Sequence, residues 1–333
     1  MRLENIVALT NARLVSQPSI TSVEGIAFKA RKVKRGNLFI ALEHSEIEEA
    51  VRNGAYAIVF QGRTQISDTE IAWIKVDSVE EALLRLMRFH LMEKELEVYH
   101  CDLITLKLAA QLHSVSDFFV LDTSLKNASQ KLWDMPTKTL LLYSTELINP
   151  DLFVESKVLP LTKTSGITIM EQTLFETSFI FDNTYYERQL LSPFFIPYLD
   201  RLLTFLKKEK VLFRMRSFTA IDHFRPIFTN RDFQVKEFGA SDRVLIFEPD
   251  LSLVMSQIDF LRSEAAWAKI VYIVPETMKI GRDEPGVFTY QSKEEIIVLL
   301  KNNDFHFALI AAQESSLLNH WQLHQNNRQL TLF

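Results

Sequence analysis

Gly36-Asn37-Leu38-Phe39-Ile40-Ala41-Leu42, then Glu46-Ile47-Glu48-Glu49-Ala50-Val51-Arg52-Asn53, then Gly54-Ala55-Tyr56-Ala57-Ile58-Val59-Phe60, read in order as strand, helix and strand. The outer pieces are short apolar runs opened by glycine, the mark of buried strands entered through a turn. The middle piece carries Ile47, Ala50 and Val51 at helical spacing and stops at Gly54, a helix C-terminal signal. Downstream, Ala72-Trp73-Ile74-Lys75-Val76 is a further strand. Ser78, with Glu80 and Glu81 in the first turn, starts a helix that reaches Leu91, its apolar face carrying Leu83, Leu84, Met87 and Leu91. Residues 1–95 thus read as one α/β unit.

Between residues 96 and 215 the pattern predicts a helix over 103–112 and buried strands at Phe118-Phe119-Val120-Leu121 and Thr139-Leu140-Leu141-Leu142-Tyr143. A hairpin of residues 175–181 and 185–191 turns around Asp182-Asn183-Thr184, and Pro197 leads into a helix over 198–208. Residues 214–230 read as irregular and charged. In the last third, Val244-Leu245-Ile246-Phe247, Ile270-Val271-Tyr272-Ile273-Val274 and Phe307-Ala308-Leu309-Ile310-Ala311 are strands, separated by helices over 251–267 and 293–302. That alternation predicts a parallel, doubly wound sheet. The polar tail after His320 is expected to lie loosely on the surface.

A chain of 333 residues has room for two or three cores. Its 47% hydrophobic and 24% charged residues are those of an ordinary folded protein. No apolar run reaches the roughly eighteen residues of a membrane-spanning helix. Met1-Arg2-Leu3-Glu4-Asn5 lacks the basic stretch and apolar core of a secretion signal. A single cysteine, Cys101, excludes an internal disulfide and a CxxC metal site. The expectation is a cytoplasmic protein without membrane insertion. A net charge of −5 with the two signs interspersed argues against a nucleic-acid partner. One basic run, Lys29-Ala30-Arg31-Lys32-Val33-Lys34-Arg35, has two readings: a solvated turn before a strand, or an anion-binding patch for a phosphorylated ligand.

Glycine usage is more selective. The chain has 8 glycines, and none lies between Gly62 and Gly166. A phosphate cradle needs backbone N–H groups that converge on the anion, and glycine permits both the close approach and the positive φ angles. No Walker-type loop or dinucleotide fingerprint therefore exists in that stretch.

Two stretches near the N-terminus nevertheless resemble one enzyme family. Residues 30–42 are similar to the line "DSRKVKPGDLFVAL", and residues 48–59 to "EEAIERGAVAIV", of the Mur ligases. These are the ATP-dependent amide ligases that build the peptidoglycan stem peptide, and the type resembled is the one that adds D-alanyl-D-alanine. Further on, Asn230-Arg231-Asp232 stands where that family has Gly-Arg and an acid, and residues 273–281, ending at Gly281, are similar to its "VLGDMLELG" line. Residues 127–142, with Trp133-Asp134-Met135-Pro136, match its "NNEIGLP" region weakly. The resemblance implies an α/β fold of three domains in Mur-ligase order: an N-terminal domain over 1–95, a reduced, degenerate ATPase-like central domain over 96–215, and a C-terminal domain over 216–333.

The departures fall on the positions that would do chemistry. The phosphate loop "GTNGKTT" is replaced by Tyr99-His100-Cys101-Asp102-Leu103-Ile104-Thr105-Leu106-Lys107, with Lys107 displaced from the family's position. "DYAHNP", which in the family helps place nucleotide and amino-acid substrate, is replaced by Phe247-Glu248-Pro249-Asp250, and "KGS" by Ala312-Gln313-Glu314-Ser315. The family's "TNI..DH" metal and lysine region has no counterpart, and the central segment is shorter than an ATPase domain. Lys29-Ala30 replaces the Asp-Ser that helps hold the uridine-diphosphate end of the substrate, with Arg31 retained. Lys29, Arg31 and Lys32 are the residues expected to meet an anion.

Other constellations carry less. Asp117 and Asp122 flank a strand and read as solvated strand-end acids. His100 and Cys101 are adjacent, so on a strand they point to opposite faces and do not form a nucleophilic pair. His320 and His324 stand at helical metal-pair spacing but lack the HExxH glutamate. Phe194-Phe195-Ile196-Pro197-Tyr198 reads as core, or as an exposed partner patch. The expected function is a non-catalytic, Mur-ligase-like binding or scaffold protein tied to cytoplasmic peptidoglycan precursor synthesis. It would need no cofactor and no metal, and its partners would be peptidoglycan-synthesis proteins or the UDP-muramyl precursor. The alternative is an active amide ligase with a rebuilt nucleotide site.

Overall fold

A computed structural model describes residues 1–114, 117–161, 165–237, 239–278 and 285–314. Gly281, Ser315, His320 and His324 lie outside the described residues. The chain is α/β; among the described residues three larger sheets lie along it, with a three-stranded antiparallel sheet between the second and the third. It divides into two compact units, one of Met1–Pro160 with Phe205–Arg214, the other of Leu161–Thr204 with Met215–Phe333.

The first unit opens with a five-stranded sheet in the order Arg13–Leu14, Ala72–Val76, Ala57–Gln61, Asn37–Ile40, Gly25–Ala27. All neighbours are parallel except the first pair. The helix Ile47–Arg52 joins the two central strands that the sequence pattern marks, with Leu38 opposite Ala57 and Ile40 opposite Val59. Both faces are covered, which is why these strands read as continuous apolar runs. Leu38, Ile40, Val59 and Ile74 pack with helix Val79–Met92 on one face; Phe39, Ile58, Phe60 and Trp73 pack with Ile47 and Ala50 on the other. Ser78 caps the Val79–Met92 helix by accepting from Glu81 N at 3.2 Å.

Gly36 and Gly54 sit at φ +92° and +89°, a conformation L side chains rarely adopt, and the Gly36 N–H donates to the Gly54 carbonyl at 3.2 Å. A Cβ on Gly54 would lie 3.3 Å from Arg35 Cα. Gly54→Ala is expected to cost about 1–2 kcal/mol, the left-handed penalty. Urea unfolding followed by circular dichroism checks it, and an unchanged midpoint would refute the strained turn.

A second, all-parallel sheet follows in the order Lys157–Val158, Glu97–His100, Leu140–Tyr143, Phe118–Leu121. One apolar cluster takes in Leu3, Val76, Leu86, Leu121, Leu141 and Phe153, so the first two sheets share a core.

The second unit begins with an antiparallel sheet of Ile167–Gln172, Thr177–Phe181 and Thr184–Gln189. Asp182 and Asn183, at φ 49° and 59°, make the hairpin turn that the sequence predicts, since both central positions of such a turn require positive φ. The last sheet runs Arg225–Thr229, Arg243–Phe247, Phe307–Ile310, Ile270–Pro275, Val287–Tyr290. It is not wholly parallel: Arg225–Thr229 pairs antiparallel with Arg243–Phe247. That strand falls within the stretch that reads as irregular, because Pro226 and its charged neighbours mask it. An edge position tolerates proline, which cannot donate to a ladder.

Candidate functional site

The basic run folds as a one-turn helix, Ala30–Lys32, ahead of the strand Asn37–Ile40. Lys29 Nζ lies 3.7 Å from Glu46 Oε1, while Glu46 Oε2 accepts from the Ala30 N–H at 3.1 Å. Asn53 Nδ2 donates to the Ala30 carbonyl at 2.9 Å and ties the turn to the following helix. Arg31 and Lys32 are exposed, and among the described residues neither forms an ion pair. Acids stand nearby as well: Lys126 bonds Glu43 and holds that carboxyl below its usual pKa, with a smaller contribution from Lys29. The turn therefore presents Arg31 and Lys32 outward, whereas the Lys29 charge is already matched by Glu46.

The replaced phosphate loop folds as strand Glu97–His100, a turn, and helix Leu103–Ala109. Asp102 is the N-cap. Its Oδ1 accepts from Thr105 N and its Oδ2 from Thr105 Oγ1, both at 2.8 Å. The helix start, where backbone N–H groups and the dipole favour an anion, is thus held by a carboxylate of the chain itself. An aspartate before an apolar helical run is a cap signal that the sequence carries, although the comparison with a phosphate loop draws attention away from it. His100 and Cys101 do not pair. His100 Nδ1 bonds Ser156 Oγ at 3.2 Å, Tyr143 OH donates to the same hydroxyl at 3.0 Å, and the buried Cys101 thiol faces the Tyr143 carbonyl at 3.7 Å.

The second unit repeats this arrangement. Strand Arg243–Phe247 leads through Glu248 to helix Leu251–Glu264, capped by Asp250, whose Oδ1 accepts from Ser252 N at 2.9 Å. Glu248 is fully buried. Its Oε1 meets His223 Nδ1 at 2.8 Å and the Asp250 N–H at 2.8 Å; its Oε2 accepts from Phe224 N at 3.1 Å and from Gln257 Nε2. Four donors saturate the carboxylate and tie this end of the sheet into a polar knot, in which the buried Gln257 Oε1 has no hydrogen-bond partner among the described residues. Sequence reading missed the pair, since His223 and Glu248 are 25 residues apart.

Asp117 and Asp122 are exposed at the ends of their strand. Among the described residues no group of three or more His, Cys, Asp or Glu could hold a metal. Phe194 packs on Phe224 and Phe260 with ring centroids 5.8 and 5.5 Å apart, and Phe195 and Ile196 are buried, so these side chains pack within the second unit, while Pro197 is exposed.

No protein-family profile matches the chain, and no curated protein does. Solved structures do align. "Crystal structure I of MurF from Acinetobacter baumannii" covers 97% of this chain and 98% of its own at 9% identity and a TM-score of 0.49. MurF ligase of Thermotoga maritima, in complex with ADP, covers 92% of this chain and 99% of its own at 12% identity and a TM-score of 0.49. A UDP-N-acetylmuramoyl-L-alanyl-D-glutamate–2,6-diaminopimelate ligase covers 93% and 89%, at 11% identity and a TM-score of 0.33. At these scores the likenesses assign no residue of this chain a role.

Proposed function

We propose that this chain is a non-catalytic, Mur-ligase-like binding protein that engages the UDP-muramyl precursor of peptidoglycan, or the proteins that handle it, in the cytoplasm. The observation that carries the reading is the Asp102 carboxylate seated on the Leu103–Ala109 helix start. A nucleotide phosphate placed there would face a like charge at about 4 Å, a repulsion of about 4 kcal/mol at an effective dielectric near 20. The helix dipole returns only about 0.3–1 kcal/mol, and no glycine lets the backbone wrap the anion. Retained framework residues such as Gly36 and Gly54 serve the fold without turnover. Lys29, Arg31 and Lys32 are the proposed contacts for the precursor's diphosphate, with Arg31 and Lys32 the outward pair.

Calorimetric titration separates the alternatives. Mg-ATP is expected to give no binding heat, and UDP-muramyl peptide is expected to bind, more weakly at high salt because the contacts are exposed. Joint Arg31→Ala and Lys32→Ala substitution should weaken that binding further. Micromolar Mg-ATP binding would overturn the proposal in favour of an active amide ligase with a rebuilt nucleotide site. Silence with both ligands would remove the precursor and leave protein partners.

A further inference from the structure

Beside the Glu248–His223 pair the second unit holds a cavity of about 230 Å³. Leu190 and Ala220 are exposed at its edge, whereas Leu191, Ser192, Phe195 and Phe224 line it as buried residues. The rings of Phe195 and Phe224 meet edge to face at 82°, with centroids 6.4 Å apart, so this wall is fixed by packing. Among the described residues no Lys, Arg, Asp or Glu lines the cavity. A charged ligand would lose its water there, and the one ionisable side chain of the lining, His223, is already paired with Glu248.

The polar side chains of the lining are Ser192, Thr219 and His223; Thr219 is exposed and His223 Nδ1 is held by Glu248, which leaves Ser192 as the buried hydroxyl. It is 4% exposed, and its Oγ accepts from the Phe194 N–H at 3.3 Å. Among the described residues no acceptor is placed against its own O–H, a hydrogen-bonding capacity that buried hydroxyls normally use. An apolar cavity of about 150 Å³ is enough for benzene. One of about 230 Å³ accommodates a ring with a substituent.

We propose that this cavity binds a small neutral molecule, one ring in size, whose single hydrogen-bond acceptor takes the Ser192 hydroxyl. Acetophenone is the probe, and ethylbenzene is its near-isostere without the acceptor. Amide chemical shifts of the full chain, followed by NMR during titration, should saturate with acetophenone. Ethylbenzene should bind roughly two- to tenfold more weakly, the worth of one neutral hydrogen bond. Ala220→Trp, at the exposed edge, should abolish binding of both without disturbing the buried wall. Ser192→Ala should erase the preference for acetophenone while leaving ethylbenzene affinity unchanged. Failure of acetophenone to saturate, binding that survives Ala220→Trp, or a preference that survives Ser192→Ala would each overturn the proposal. If Ser192→Ala unfolds, the comparison of the two probes on the unaltered protein still decides whether an acceptor is recognised.

Discussion

Glu248→Ala is expected to lower the stability of the second unit by about 3–5 kcal/mol, the cost of removing one partner from a buried charged network. The carboxylate is fully buried, and its two oxygens are the acceptors for His223 Nδ1, Gln257 Nε2 and the backbone N–H groups of Phe224 and Asp250. Truncation leaves all four donors without their acceptor at a position that is buried in the folded unit. Each unsatisfied buried donor costs about 1–3 kcal/mol, so four of them cost about 4 kcal/mol or more before relaxation, and a total under that requires residues 219–224 to rearrange. Glu248→Gln keeps the shape but turns one acceptor into a donor, and should fall between the parent and the alanine variant. Urea unfolding by circular dichroism gives the order directly. A Glu248→Ala midpoint equal to that of the parent would show that the knot contributes nothing to stability.

Trp73→Ala should cost the first unit a similar about 3–5 kcal/mol, by loss of buried apolar area and the cavity left behind. Trp73 is fully buried in a strand whose neighbours on both sides are paired, and it meets Phe60 edge to face at 5.9 Å. Its indole N–H donates to the Asp68 carbonyl at 2.6 Å, which ties the preceding loop to the strand. Trp73→Phe retains a ring and gives up that hydrogen bond, so it should lose markedly less than the alanine variant. Equal losses for the two variants would place the whole effect in the hydrogen bond, and a loss under 1 kcal/mol for alanine would contradict the packing described.

Much of the fold was legible in the sequence, because each element there is announced by its own residues. Asn37–Ile40, Ala57–Gln61 and Ala72–Val76 are apolar runs covered on both faces, and the helix Val79–Met92 begins at a serine that does cap it. Arg225–Thr229 was missed, since Pro226 and exposed charge imitate a loop, and only pairing with a neighbouring strand makes it sheet. Of the proposed anion contacts, Arg31 and Lys32 stand outward as a solvated turn requires. Lys29 finds Glu46 across the turn, a pairing that depends on where the next helix is placed.

By itself the sequence determined that no glycine cradle can form between Gly62 and Gly166, because the ability of a backbone to wrap an anion is a property of the residues at that spot. Other features were decided by tertiary structure alone. The joining of His223 to Glu248 and the walls around Ser192 arise where separate segments of chain are brought together. No periodicity records which loop will face which strand end, since that is settled by packing over the whole unit rather than by neighbours along the chain.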